Sequence, residues 1–312
     1  MKKVSIMIPC YNEQENVLPI SEAVVAQMEG FAEYDYEILF IDNCSQDGTR
    51  PLLRKICAKN PKIRAIFNAK NFGQFNSPYY GLCQTTGDCT ISLCCDFQDP
   101  VEMIPRLLRE WEQGYQIVCA IKTSSKENRL MYAIRSLYYR TLKRTSRIEQ
   151  IEHFTGFGLY DKSFIEVLRA LDDPTPFIRG IVAELGSRVK LIEYEQARRR
   201  AGRTHNNFFS LYDAAMLSFT SYTKIGMRLA SFLGILMSSG SFLAAVVCLV
   251  LKLINPSYFF TTGTAAILLT VLFVGGVQLF FIGFAGEYLL SINARTMRRP
   301  LVIEEERINF DK

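Results

Sequence analysis

Two long uncharged runs near the C-terminus constrain this chain more than any other feature. No Asp, Glu, Lys or Arg interrupts Leu229–Leu251, and none interrupts Leu253–Gly286. About 20 consecutive apolar residues cross the hydrocarbon core of a bilayer. The runs therefore predict two transmembrane helices, Leu229–Leu251 and roughly Ala265–Gly286, with Asn255-Pro256 breaking the second run near its start. The alternative, two buried helices of a soluble core, fits poorly, because core helices of that length carry a polar face or a charge. Gly234, Gly240, Gly275, Gly276 and Gly283 suit close helix contacts in lipid.

The flanks set an expected orientation. Arg198, Arg199, Arg200, Arg203, Lys224 and Arg228 precede the first run and Arg295, Arg298 and Arg299 follow the second, whereas the connection between them has only Lys252 at its edge. Positive residues stay on the cytoplasmic side, so both chain ends are expected there. Met1-Lys2-Lys3 leads directly into a short strand-like run, so no secretory signal is expected and the first 200 or so residues are read as cytosolic. In that reducing compartment the 9 cysteines read as free thiols, with no Cys-x-x-Cys pair to mark a zinc site. With 49% hydrophobic residues and a net charge of +5, the 312-residue chain is neither a disordered polar chain nor a disulfide-stapled miniprotein.

Before the apolar runs, short β-branched segments alternate with helical patterns. Val4–Ile8, Glu37–Ile41, Ile63–Phe67, Thr90–Cys94 and Ile117–Ile121 predict strands; Glu13–Met28, Asp47–Lys59, Ser77–Thr85 and Val101–Gln113 predict helices. Such alternation implies an α/β fold with a mostly parallel sheet and flanking helices. Ligands bind at the carboxyl ends of the strands in such sheets, and there the polar residues gather: Pro9-Cys10-Tyr11-Asn12-Glu13, Asp42-Asn43-Cys44-Ser45-Gln46-Asp47-Gly48-Thr49, and Asp96-Phe97-Gln98-Asp99-Pro100. Tyr11 suits stacking on a base, and a carboxylate such as Asp42 can accept the imide N–H of uracil or guanine. Asp96 with Gln98 suits a hard divalent cation. Asp47 and Asp99 read more simply as helix caps, Asp99 with Pro100 at the first helical position.

In this order the motifs resemble glycosyltransferase family 2, and within it the enzymes that transfer one sugar to a polyprenyl phosphate, such as dolichyl-phosphate mannose synthase and the bactoprenol glucosyltransferases. The resemblance spans the whole chain, because bacterial members also end in two transmembrane helices. It implies a GT-A-like domain over residues 1–200, a basic loop and interfacial amphipathic helix over 201–228, a transmembrane hairpin over 229–290 and a cytoplasmic tail over 291–312. It assigns Pro9, Tyr11, Asn12, Glu13, Asp42 and Asp96 to the nucleotide, Asp96 and Gln98 to Mg²⁺ or Mn²⁺, and Lys122, Arg129, Arg135 and Ser136 to the acceptor phosphate. Asp96, Arg200 and Arg203 take the catalytic roles, with Arg199 the alternative to Arg200 at the leaving diphosphate.

Two departures stand out. Cys94 occupies the first position of the family's Asp-x-Asp-x-Gln motif, and a thiolate is a poor ligand for a hard cation. Gly156, in Thr155-Gly156-Phe157-Gly158-Leu159, stands where many members have the Asp assigned as base; Glu152 and His153 lie close in sequence. A phosphate monoester, with a second pKa of about 6, is largely dianionic at neutral pH and needs no base. In the loop Arg198–Asn207, His205 stands where the family has Lys, so a cation there depends on pH. Phe208, Phe209, Leu211, Tyr212, Met216, Phe219 and Tyr222 suit an amphipathic helix in the membrane interface.

The expectation is a membrane-anchored, inverting transferase that moves a sugar from a nucleotide sugar, most simply a uridine diphosphate sugar, to a polyprenyl phosphate. Two other readings stay open: a different lipid acceptor such as a diacylglycerol, and a catalytically silent nucleotide-binding membrane protein. The sequence points to no nucleic-acid partner and leaves a homo-oligomer open.

Overall fold

The computed structural model describes residues 1–123, 151–201, 213, 216–217, 219–223, 225–254, 264–297 and 299–310. Eight strands form one sheet in the order β7-β5-β6-β4-β1-β2-β3-β8. In chain order they are β1 (Lys2–Cys10), β2 (Tyr34–Asp42), β3 (Ile63–Asn68), β4 (Cys89–Ser92), β5 (Ile117–Lys122), β6 (Phe154–Asp161), β7 (Val189–Tyr194) and β8 (Glu304–Ile308). The helices are α1 (Val17–Glu29), α2 (Thr49–Lys59), α3 (Gly73–Cys83), α4 (Ile104–Glu112), α5 (Lys162–Leu171), α6 (Ile178–Leu185), α7 (Ile225–Ile254) and α8 (Thr264–Thr296).

The five anticipated strands all form, and β1 pairs in parallel with both β2 and β4, as β2 does with β3. This is the GT-A-like α/β arrangement that the motifs implied. Side chains on successive residues of a strand point to opposite faces. Ile38 and Phe40 accordingly join the core on one face of the sheet with Val17, Leu53 and Leu107, while Leu39 and Ile41 join Tyr79, Leu82 and Phe164 on the other. A strand buried on both faces needs the near-continuous apolar run of Ile38-Leu39-Phe40-Ile41. Each such side chain stabilises the fold by about 1.5–3 kcal/mol.

The boundaries shift where local chemistry overrides periodicity. Helix α1 begins at Val17 rather than Glu13, because Asn12 adopts φ +56° and the Glu13 carbonyl first accepts Asn16 N–H at 2.9 Å and Val17 N–H at 3.0 Å. Strands β6 and β7 were not anticipated. β6 runs antiparallel to both β4 and β5, so the β7-β5-β6-β4 half of the sheet is mixed.

The C-terminal residues also differ from a simple tail. β8 pairs antiparallel with β3 at the edge of the sheet. Residues 219–223 lead into α7 and pack on α8, with Phe219 and Phe284 rings 5.8 Å apart and Tyr288 donating to the Thr223 carbonyl at 2.8 Å. The Tyr222 ring packs directly on Gly180 of α6, where a Cβ would clash with it. Arg295 at the end of α8 pairs with Asp173 at 3.1 Å, joining α8 to the connection between α5 and α6. Among the described residues one stretch, Phe273–Thr296, is long and apolar enough to cross a membrane by length and composition.

Candidate active site

The carboxyl ends of β1, β2 and β4 meet at one edge of the sheet, and three loops interlock there. Asn12 holds the first two: its N–H donates to Ser45 Oγ at 2.8 Å, and its Oδ1 accepts Gln46 N–H at 2.8 Å. Glu13 N–H donates to Thr49 Oγ1 at 2.9 Å. The left-handed backbone of Asn12 and of Cys44 (φ +64°) lets both loops turn back on themselves. Pro9 and Tyr11 are half-buried beside them.

Asp42, the last residue of β2, is fully buried. Its Oδ2 accepts Ser45 N–H at 3.1 Å and Arg50 Nε at 2.7 Å, whereas its Oδ1 is buried with no hydrogen-bond partner. A buried acceptor left without a donor is costly and rare in native structures. An imide N–H is the kind of donor that satisfies it.

Glu13 and Asp96 converge on Arg199, one of the arginines of the basic loop. The Arg199 guanidinium pairs with Glu13 and lies 3.6 Å from Asp96 Oδ2, while Asn16 Nδ2 donates to the other Glu13 oxygen at 2.6 Å. Burial pushes the Glu13 carboxyl up, against the pull of Asn16 and Arg199. Arg200 is anchored by its N–H to the Asp96 carbonyl at 3.2 Å, and its exposed guanidinium lies 5.1 Å from the centre of the Phe97 ring. Three consecutive arginines in the sequence do not reveal which one turns inward; only the path of the chain after β7 decides it.

Asp99 is not a helix cap. It is almost fully buried, accepts Cys94 N–H at 3.1 Å on one oxygen and the Tyr194 hydroxyl at 3.0 Å on the other, and leaves Val101–Met103 to begin without a side-chain cap. Burial pushes its carboxyl up, opposed by the hydrogen bonds from Cys94 and Tyr194. Asp47 is not the N-cap of α2 either: that position is Gly48, without a side-chain cap, and Asp47 Oδ1 instead accepts Thr49 N–H at 3.0 Å in a local turn just before the helix.

Cys94 opens to solvent in this recess. A sulfur ligand, thiol or thiolate, is a poor partner for a hard cation beside the Asp96 carboxylate. The anticipated hard-cation site thus reduces to the Asp96 carboxylate and Gln98, whose N–H donates to Asp96 Oδ1 at 3.1 Å. Among the described residues no group of three or more His, Cys, Asp or Glu is placed to hold a metal. One carboxylate still fits Mg²⁺ or Mn²⁺, since such ions bind through one or two carboxylates plus the phosphates of the substrate.

Lys122 ends β5, where its N–H donates to the His153 carbonyl at 3.4 Å. Arg129, Arg135, Ser136 and Arg203 lie outside the described residues, as do His205 and most of the anticipated amphipathic helix. Gly156 adopts φ +104° in β6, a conformation that a side chain strains.

Residues 5–169 match Glycosyl transferase family 2. The chain belongs to this family. The glycosyltransferase is 30% identical over 308 residues to the bactoprenol glucosyl transferase of Shigella phage SfX, covering 98% of this chain and 99% of that protein. It is 28% identical to the prophage bactoprenol glucosyl transferase homolog of Escherichia coli K12, over 96% of this chain and 98% of that one. Among solved structures, the glucosyl-3-phosphoglycerate synthase of Mycobacterium tuberculosis, in complex with Mn²⁺, uridine diphosphate and phosphoglyceric acid, is 13% identical with a TM-score of 0.48, covering 70% of this chain and 76% of that one.

Proposed function

We propose that this glycosyltransferase moves one sugar, with inversion, from a uridine diphosphate sugar to a polyprenyl phosphate at the cytoplasmic face of the membrane. The unsatisfied Asp42 Oδ1 carries the uridine reading, because its natural partner is the uracil imide N–H. Tyr11, Pro9, Asn12 and Glu13 line the nucleotide side. The acceptor reading rests on likeness to relatives named for bactoprenol and on the chemistry of Gly156: without an Asp there, an acceptor that is already anionic suits this site better than a hydroxyl.

In this reading Asp96 and Gln98 would hold Mg²⁺ or Mn²⁺, which would supply positive charge for the donor diphosphate. Arg200 and Arg203 present planar guanidinium forks to the leaving phosphates. Lys122, Arg129, Arg135 and Ser136 hold the acceptor phosphate so that its oxygen lies in line with the anomeric carbon and the departing diphosphate. The new C–O bond forms as the bond to the diphosphate breaks, and no proton need leave the nucleophile. Residues 1–200 form the transferase domain, 201–228 the interfacial connection, 229–290 a hairpin of two membrane spans, and 291–312 a segment on the cytoplasmic side with the N-terminus.

The test incubates the purified full-length chain in detergent with undecaprenyl phosphate, Mn²⁺ and a panel of uridine diphosphate sugars, with product masses read by mass spectrometry. A single glycosylated undecaprenyl phosphate is expected. Transfer to diacylglycerol alone, or to nothing, would overturn the acceptor assignment.

A further inference from the structure

The register between β3 and β8 skips one residue. Phe67 pairs with Glu306 and Asn68 with Glu304, which leaves Glu305 unpaired at an irregularity in the ladder. Such bulges re-aim side chains, and here the Glu305 carboxylate meets Arg50 Nη1 at 2.8 Å.

Arg50 sits on the first turn of α2 and is otherwise spent on the donor end of the sheet. Its Nε donates to Asp42 Oδ2 at 2.7 Å, its Nη2 donates to the Asn68 carbonyl at 2.5 Å, and its guanidinium lies 5.5 Å from the centre of the Phe67 ring. The Asn68 side chain donates in turn to Asn43 Oδ1 at 3.2 Å and Ser77 Oγ at 3.0 Å. Arg50 is thus bound on three edges. A planar fork held this way has one orientation, and it occupies one oxygen of Asp42 while leaving the other unpartnered. Arg54, one turn on, pairs with Glu306 at 2.6 Å, so the strand from the C-terminus is clamped to α2 at two successive residues.

We propose that Arg50 and Glu305 are positioning residues for nucleotide recognition: the C-terminal strand, through Glu305 and Arg50, holds the Asp42 carboxylate with one oxygen turned toward the base. This rests on the reading of Asp42 as the acceptor for the base imide. It makes the segment after the last membrane helix part of the donor site, although Glu305 is distant from Asp42 in sequence and touches no nucleotide.

The test uses the full-length protein in detergent and measures dissociation constants for uridine diphosphate and for its 3-methyl analogue, which lacks the imide N–H, with thermal midpoints recorded in parallel. The wild type is expected to prefer uridine diphosphate by about tenfold or more, the worth of a hydrogen bond to a charged acceptor. Asp42→Asn is expected to abolish the preference. Arg50→Gln is expected to bring it to within about twofold, Glu305→Gln to reduce it by about threefold, and Arg50→Lys to restore part of it. Glu305 is half-exposed, so E305Q keeps the test open if R50Q does not fold. If D42N discriminates like the wild type, the base reading itself falls and the proposal with it. If D42N loses discrimination while folded R50Q and E305Q keep it in full, the positioning proposal alone is overturned.

Discussion

Arg199 and Glu13, 186 residues apart in the chain, form an ion pair that joins the turn after the first strand to the basic segment after the seventh. The same guanidinium reaches toward Asp96, so one cation separates two carboxylates that would otherwise face each other.

Replacing Arg199 by Ala removes that separation. The variant is expected to lose about 10- to 100-fold in kcat/KM, as for loss of a charge-assisted hydrogen bond in a partly buried site. Arg199→Lys should recover only part, because an ammonium cannot serve both carboxylates as a fork does. Steady-state kinetics with a uridine diphosphate sugar check this, and a value within twofold of wild type for R199A would show that the bridge is incidental.

Cys94→Asp puts a second carboxylate next to Asp96. Because hard cations bind more tightly as carboxylates are added, the Mn²⁺ concentration for half-maximal transfer should fall by about tenfold. Metal titration of activity in chelator-treated protein measures it. An unchanged requirement would mean that position 94 does not face the ion.

Gly156→Ala tests backbone rather than space. A Cβ there would meet only Ile178 Cγ2, at 3.5 Å, but φ is +104°, so the variant should lose about 1–3 kcal/mol from strain alone. Gly156→Asp should lose a similar amount and fail to supply a base. Denaturant unfolding of the detergent-solubilised protein reads both.

Glu37 predicts an acid-labile core. Burial by itself would raise its carboxyl, but hydrogen bonds from Lys3, Ser5 and Thr86 outweigh this and hold it below its ordinary value of 4.5. A depressed carboxyl binds fewer protons folded than unfolded, so its contribution is fully present above the unfolded value and is lost as pH falls through the folded one. Glu37→Gln should therefore cost about 3 kcal/mol at neutral pH, the penalty for breaking a buried pair, and should flatten the loss of stability below about pH 4.5. Thermal midpoints from pH 3 to 7 decide; parallel curves for the two proteins would assign the acid lability elsewhere.

The central parallel strands were legible in the sequence because a strand buried on both faces must be apolar throughout, and Ile38–Ile41 has no other plausible use. β6 was not, because the two glycines in Thr155–Leu159 weaken a strand pattern, and only the tertiary structure packs Phe154, Leu159 and Tyr160 between β4 and β5. Asp99 was misread for a related reason. Asp-Pro before a helix is a capping pattern, but a Tyr194 hydroxyl from a strand far along the chain outcompetes the local backbone for the carboxylate.

What the sequence determined alone was what depends on composition and short spacing: an α/β domain, the order of the loops that carry polar residues, the family they belong to, and the apolar segments at the end. Which arginine turns inward, which oxygen of Asp42 stays unpartnered, and where the C-terminal strand docks were decided by the tertiary structure. Each depends on pairing between residues far apart in the chain, such as Arg199 with Glu13 or Glu305 with Arg50, and no local propensity encodes contacts of that range.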